Sequence, residues 1–324
     1  MEPATIVQVE RIYMPILAAV GVPVNLVAIV ILSRRMCSLS KCIIRYLFGM
    51  AVADLLVVVM EVILRWMAAM YFRDSFLLIT PVCCLTTTLS FAATVVSIWL
   101  TVAFTFDRFV AICCEKLKIK YCTEKTATVV ITTVSTLSCL ETLPWYFTQE
   151  ARFMIGSVPW ECRLKLSVVF STSWTAFMMF HFVLTPILPF FLVFLLNILT
   201  VRRIVVTSRV RHGFQGCSIG ENHKDREMEK RRRSIVLLFS ISGTFIILLV
   251  ARLVYNIYLR IANIAFYTSR SDPRYITERA TVMLQLLSTC TNTFIYTVTQ
   301  QEFRNELKNG IKYPFNHIVK LIKL

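Results

Sequence analysis

Asp54 stands in the run Ala-Val-Ala-Asp-Leu-Leu, with no other charge between Arg45 and Glu61. A carboxylate in so apolar a stretch is costly to bury, and it marks an ion site or a buried polar network. Ser97, Asn25 and Asn292 are polar residues in other apolar runs and could be its partners. A hard cation such as sodium wants oxygen ligands of this kind. The plainer reading is a neutral, hydrogen-bonded structural aspartate. Glu61 and Glu141 are further acids in apolar surroundings, and the sequence assigns them no role. Arg252 is a cation placed well inside an apolar segment. Such a residue faces a helix bundle or a wet cavity, where its fork can take a carboxylate, or it snorkels to the surface. His181 reads as readily as a packed bundle histidine as a ligand contact. Phe91, Met179, Phe182, Tyr255 and Gln285 could line a pocket, although aromatics at helical spacing more often only pack. Asp107-Arg108-Phe109 closes another apolar segment. Cys83 lies 25 residues before Arg108, roughly 37 Å along a helix. The two residues therefore belong at opposite membrane faces, and Cys83 can meet Cys162 in a disulfide. Cys84, rotated by about 100° on the same helix, is the alternative partner. No nucleophile–base pair and no zinc spacing is present, which argues against an enzyme.

The elements that must hold these residues are apolar and long. The chain is 56% hydrophobic over 324 residues, with a mean hydropathy of +0.66, against about 45–50% apolar in soluble domains. The excess falls into seven segments: 12–33, 46–70, 80–113, 126–148, 174–202, 233–260 and 276–299. Each can cross ~30 Å of hydrocarbon at ~1.5 Å per residue. Lipid satisfies no backbone groups, so each must be a helix. The expectation is an all-α membrane protein: a seven-transmembrane helix bundle forming one domain over 1–324. The charge of +16 would suggest nucleic acid in a soluble protein. Here 24 of the 35 Lys and Arg fall in alternate connections and the tail. Those connections should be cytoplasmic and the N-terminus extracellular. The excess then favours anionic lipid and needs no nucleic-acid partner. Trp66, Trp145, Trp160 and Trp174 fall near outer ends of segments, as an interfacial belt would. The eleven cysteines form no regular framework, and only Cys83, Cys84 and Cys162 fall in outward-facing stretches, where disulfides form. The first apolar stretch is of full span length with no basic region before it, unlike a cleavable signal. No Asn-x-Ser/Thr acceptor occurs. No duplicated halves are evident, which argues against a transporter or channel.

In order and in register with seven spans, these features resemble the rhodopsin-like (class A) G-protein-coupled receptors over nearly the whole chain. Gly21-Val-Pro-Val-Asn25 resembles the family's first-helix motif, and Asp54 its sodium-site aspartate. Asp107-Arg108-Phe109 resembles Asp-Arg-Tyr, Asn292-Thr-Phe-Ile-Tyr296 resembles Asn-Pro-x-x-Tyr, and Phe303-Arg304 resembles the start of a short amphipathic eighth helix. A finer similarity, carried also by Ser97-Ile-Trp-Leu-Thr-Val, by Phe106 to Ile112, by His181 and by Arg252, is to the subgroup of the orphan G-protein-coupled receptor 139. The resemblance implies a plasma-membrane receptor with a heterotrimeric G protein as partner, coupling mainly through Gq, and an extracellular amino-acid-like or peptide ligand. It implies G-protein coupling and activation roles for Asp107, Arg108, Asn292 and Tyr296, a possible sodium ion near Asp54, Ser97 and Asn292, and a ligand pocket near Phe91, His181, Arg252, Tyr255 and Gln285. The chain departs from the pattern in several places. Leu248-Leu249-Val250-Ala251 replaces Cys-Trp-x-Pro, so the sixth helix should be straighter. Thr293 stands for proline, Asn197 for tyrosine, and the fourth helix lacks its tryptophan. Arg231 occupies the place where relatives carry an acid that pairs the arginine of Asp-Arg-Tyr. After Phe303 the tail has no serine, threonine or cysteine, so neither phosphorylation clusters nor a palmitoyl anchor is expected there. A non-signalling relative with the same fold is the rival reading.

Overall fold

The computed structural model describes residues 5–34, 39–212, 221–262, 267 and 269–308, and the side chains of all of these except 208–212 and 221–231. Seven long helices dominate: α1 (Thr5–Ser33), α2 (Lys41–Tyr71), α3 (Thr80–Cys113), α4 (Glu124–Thr142), α5 (172–212), α6 (Glu221–Ile261) and α7 (Pro273–Thr299). Their starts are written in local chemistry. The side chains of Ser40, Thr123 and Asp272 accept from the amides of Ile43, Thr126 and Arg274, taking up donors that the first turn leaves open. Pro81 and Pro273 sit in first turns, where the missing amide costs nothing. A short basic helix, Glu115–Tyr121, joins α3 to α4, and residues 301–308 are again helical, with Phe303 buried beside Tyr296.

α1 to α6 are each long and apolar enough to cross a bilayer, so the chain is a multi-pass membrane protein. α7, although 27 residues long, does not reach the same apolarity. Its first turns carry Arg274, Glu278 and Arg279, and its interior positions carry Gln285, Thr289 and Asn292. These are the positions that build polar contacts with α1, α2 and α6.

α3 is the central helix, packed against α2, α4, α5 and α6, while α7 packs on α6 and α1 and so closes the ring. Lipid gives helices little hydrophobic reason to associate, so close approach of small residues matters more. At Gly21 a Cβ would come within 3.0 Å of Cys290 Sγ on α7 and of Val58 on α2. A side chain there would push three helices apart. Asn25 fastens the same place, donating to the carbonyls of Gly21 and Thr289 at 2.9 and 3.0 Å.

The chain is not wholly helical. Residues Gln149–Ile155 (β1) and Val158–Leu164 (β2) form an antiparallel hairpin between α4 and α5, a small addition to the expected helical bundle. Gly156 takes a φ of +61° in the two-residue turn, where glycine is needed. The hairpin was hard to see because β1 reads Gln-Glu-Ala-Arg-Phe-Met-Ile, with no regular alternation. It is pinned to the start of α3 by three consecutive contacts. Trp160 bridges Ile79, Thr80 Oγ1 donates to the Glu161 carbonyl at 2.8 Å, and Cys162 is disulfide-bonded to Cys83. Two helices also carry wide turns that the sequence reading did not expect: Val58–Met67 in α2 and Val183–Ile187 in α5 are π-helical. The second contains Pro186, whose missing amide accounts for it.

Candidate functional site

At the hairpin end the helices enclose a cavity of about 720 Å³. Its walls are apolar and aromatic, with charged groups entering from α2, α6 and α7. Phe91, Met179, His181, Phe182, Arg252 and Gln285 all line it. Tyr255 does not: it turns away, and its hydroxyl donates to the Arg274 carbonyl at 2.5 Å. Trp145, read as part of an interfacial belt, lies in the cavity wall instead, edge-on to Phe91 and His181. Its indole nitrogen has no hydrogen-bond partner among the described residues.

The π turn of α2 explains Glu61. A wider turn brings residues five apart into register, and Glu61 accepts from Trp66 Nε1 at 3.0 Å, from Arg65 at 2.6 Å and from Ser90 Oγ of α3 at 2.5 Å. This acid is saturated. Glu141 of α4 pairs with His181 Nδ1 of α5 at 2.6 Å, while its other oxygen is buried with no hydrogen-bond partner among the described residues. Arg252 does not snorkel. It faces the cavity with Nη1 3.5 Å from Glu278 Oε1, an ion pair too long to be a good hydrogen bond, and that Nη1 has no hydrogen-bond partner among the described residues. Beside it, Arg279 is fully engaged on one side, bonded through Nε to the buried Glu10 of α1 and stacked 3.8 Å above the Trp66 ring. Sequence reasoning missed Glu10, Arg279 and Glu278. Each stands within a turn or two of a helix end, where a charge reads as solvated.

Below this cavity lies a pocket of about 30 Å³, roughly room for one water or small ion. The two share Thr94, Ile98, Phe245, Leu249, Gln285 and Leu286 as walls. Ser97 and Asn292 line the lower pocket and both donate to the Asp54 carboxylate, at 2.5 and 2.8 Å. Asp54, Ser97 and Asn292 are thus one cluster, whereas Asn25 is bonded elsewhere.

At the opposite end Arg108 is buried on α3, paired with its neighbour Asp107 and 3.3 Å from Ser234 Oγ of α6. Asp107 also accepts from Cys42 Sγ of α2 at 3.0 Å. Cys122, in the connection to α4, points its thiol at the Asp107 carbonyl. Burial and the Asp107 carboxylate push this thiol up to about 12, so it stays protonated and able to donate. Tyr296 is buried against Phe303, its hydroxyl without a hydrogen-bond partner among the described residues. The side chain of Arg231 lies outside the described residues.

A family model described as "7 transmembrane receptor (rhodopsin family)" matches residues 24–296, most of the chain. The chain belongs to the rhodopsin family of seven-transmembrane receptors. Within a rhodopsin-family bundle, two features stand out here. The floor between the two cavities is made by Leu249 and Phe245, with no tryptophan. And the contact to Arg108 from α6 is a serine hydroxyl, its acid partner among the described residues being Asp107 of its own helix.

Proposed function

We propose that this chain is a plasma-membrane receptor, its hairpin end outside and its Arg108 end in the cytoplasm, that transmits the binding of a small extracellular ligand to a heterotrimeric G protein. The observation that carries this reading is the placement of two sites on one helix. α3 contributes Ser90, Phe91 and Thr94 to the ligand-sized cavity and Asp107-Arg108 to the far end. A cavity of several hundred Å³ with a few convergent polar groups is the usual form of a small-molecule site. A ligand that binds one packing of α3, α5, α6 and α7 better than another shifts their populations, and that shift reaches Arg108. His181, Arg252 and Gln285 would contact the ligand. Arg108 and Tyr296 would serve the G protein, and residues 301–308 would lie along the inner membrane surface. Similarity to the receptor 139 subgroup favours amino-acid-like or peptide ligands and Gq.

The test is a cell-based G-protein activation assay, Gq first, screened with free amino acids and short peptides. A hit should be lost in Arg108→Ala with surface expression and ligand binding retained, and weakened at least about tenfold in Arg252→Ala, the size of one lost charge-assisted bond. Ligand binding that never produces nucleotide exchange on any G-protein class would overturn the signalling half of the reading and favour a non-signalling receptor.

A further inference from the structure

We propose that Arg279, together with Arg252, forms an anion subsite in the wall of the large cavity, so that the ligand's α7 end carries a carboxylate or another oxyanion. This rests on the receptor reading of that cavity and specifies the chemistry of its ligand.

Four arginines line the cavity, Arg65, Arg252, Arg260 and Arg279, against two acids, Glu61 and Glu278. The first pairing is closed, because Arg65 has Glu61. Arg260 lies over the Phe182 ring. The remaining two are different. Arg279 is 9% exposed, its Nε is taken by Glu10 and one face by Trp66, yet its Nη2 is buried with no hydrogen-bond partner among the described residues. At Arg252 the Nη1 that stands 3.5 Å from Glu278 Oε1 is itself buried and makes no hydrogen bond among the described residues. Burying a guanidinium donor without a partner is unfavourable. Two such donors stand in one cavity wall, the Arg279 one on a side chain fixed from behind by Glu10 and the Arg252 one held only loosely by Glu278, and together they offer a fork to an acceptor stronger than those the described residues supply. Glu10 and Trp66 make Arg279 the more rigid of the pair. Its guanidinium cannot swing away without leaving Glu10 uncompensated. Arg279 therefore sets which anions fit, and Arg252 closes on them.

The experiment uses the purified full-length receptor in lipid nanodiscs, with thermal unfolding as the readout. The probes are 3-phenylpropionate, phenylmethanesulfonate and 3-phenylpropionamide, the last a neutral match in shape to the first. The expected result is saturable stabilisation by both anions at millimolar concentration and none by the amide. Arg279→Lys should raise the carboxylate midpoint about tenfold, since a point charge replaces a fork. Because Arg279→Gln strands Glu10, the paired variant Glu10→Gln/Arg279→Gln replaces it. That variant should fold and lose the anion response. Arg65→Lys, whose partner Glu61 is already satisfied, should keep it. Equal stabilisation by acid and amide, unchanged midpoints in the Arg279 variants, or no saturable response to either anion overturns the proposal. This readout is independent of signalling. Anion binding in a receptor that activates no G protein leaves the subsite standing and removes the signalling reading. A ligand that signals equally through the paired variant does the reverse.

Discussion

Asp54 shows what one residue type at one depth can disclose. Its carboxylate is bonded by Ser97 and Asn292 from two other helices, beside a pocket of about 30 Å³. We expect sodium to occupy that pocket and to favour the inactive packing. Sodium in place of choline should raise the unfolding temperature of the ligand-free receptor, corresponding to about 1.4 kcal/mol at tenfold excess over its Kd. It should also weaken agonist binding, and Asp54→Asn should abolish both effects. An unfolding curve and an agonist affinity that ignore sodium in the wild type would leave Asp54 a plain structural aspartate. The partners of Asp54 were legible because a polar side chain within an apolar run has few places to go. The partners of Arg279 were not. Glu10 lies 269 positions away in the chain, and a charge near the end of an apolar run looks the same whether it meets water or a buried arginine.

The helices were legible for a different reason: hydropathy reports backbone satisfaction in lipid, and that leaves only helix. What hydropathy does not report is deviation within a helix. The π turn in α2 has no proline to announce it, and it decides where Glu61, Arg65 and Trp66 point. α6 presents the opposite case, because its irregularity was expected to be missing and it is one unbroken helix over Glu221–Ile261. Its inner half meets Arg108 through Ser234 at 3.3 Å. A neutral hydroxyl holds a guanidinium less firmly than a carboxylate does. Arg231, three residues earlier on the same helix, adds a like charge to that end. Like charges on one end of a bundle disfavour each other, and salt and side-chain motion reduce the effect. The closed arrangement of α3 and α6 should therefore lack a restraint, and ligand-free G-protein turnover should be measurable. Arg231→Glu should lower it at equal surface expression. A silent wild type, or a variant as active as the wild type, would show that the missing acid on α6 has no consequence.

At the scale of the whole molecule, the proposed orientation with the hairpin end outward rests on charge and covalent chemistry alike. The hairpin end carries the Cys83–Cys162 bond, and disulfides persist in oxidising surroundings. The Arg108 end carries Lys116, Lys118 and Lys120 on its connecting helix and Arg232 and Arg233 at the foot of α6, and basic loops stay in the cytoplasm. The chain has no Asn-x-Ser/Thr acceptor of its own, so an introduced one reports orientation without background. Ile155→Asn places an Asn-Gly-Ser acceptor at the hairpin turn, on a residue 54% exposed. Ile311→Thr places Asn-Gly-Thr in the tail. Oligosaccharide is added only on the lumenal side, which becomes the cell exterior, so the first variant should shift in mass on a gel and return after glycosidase treatment, while the second stays unmodified. The reverse result would put Arg108 outside, beyond the reach of any G protein, and the function proposed above would fall with it.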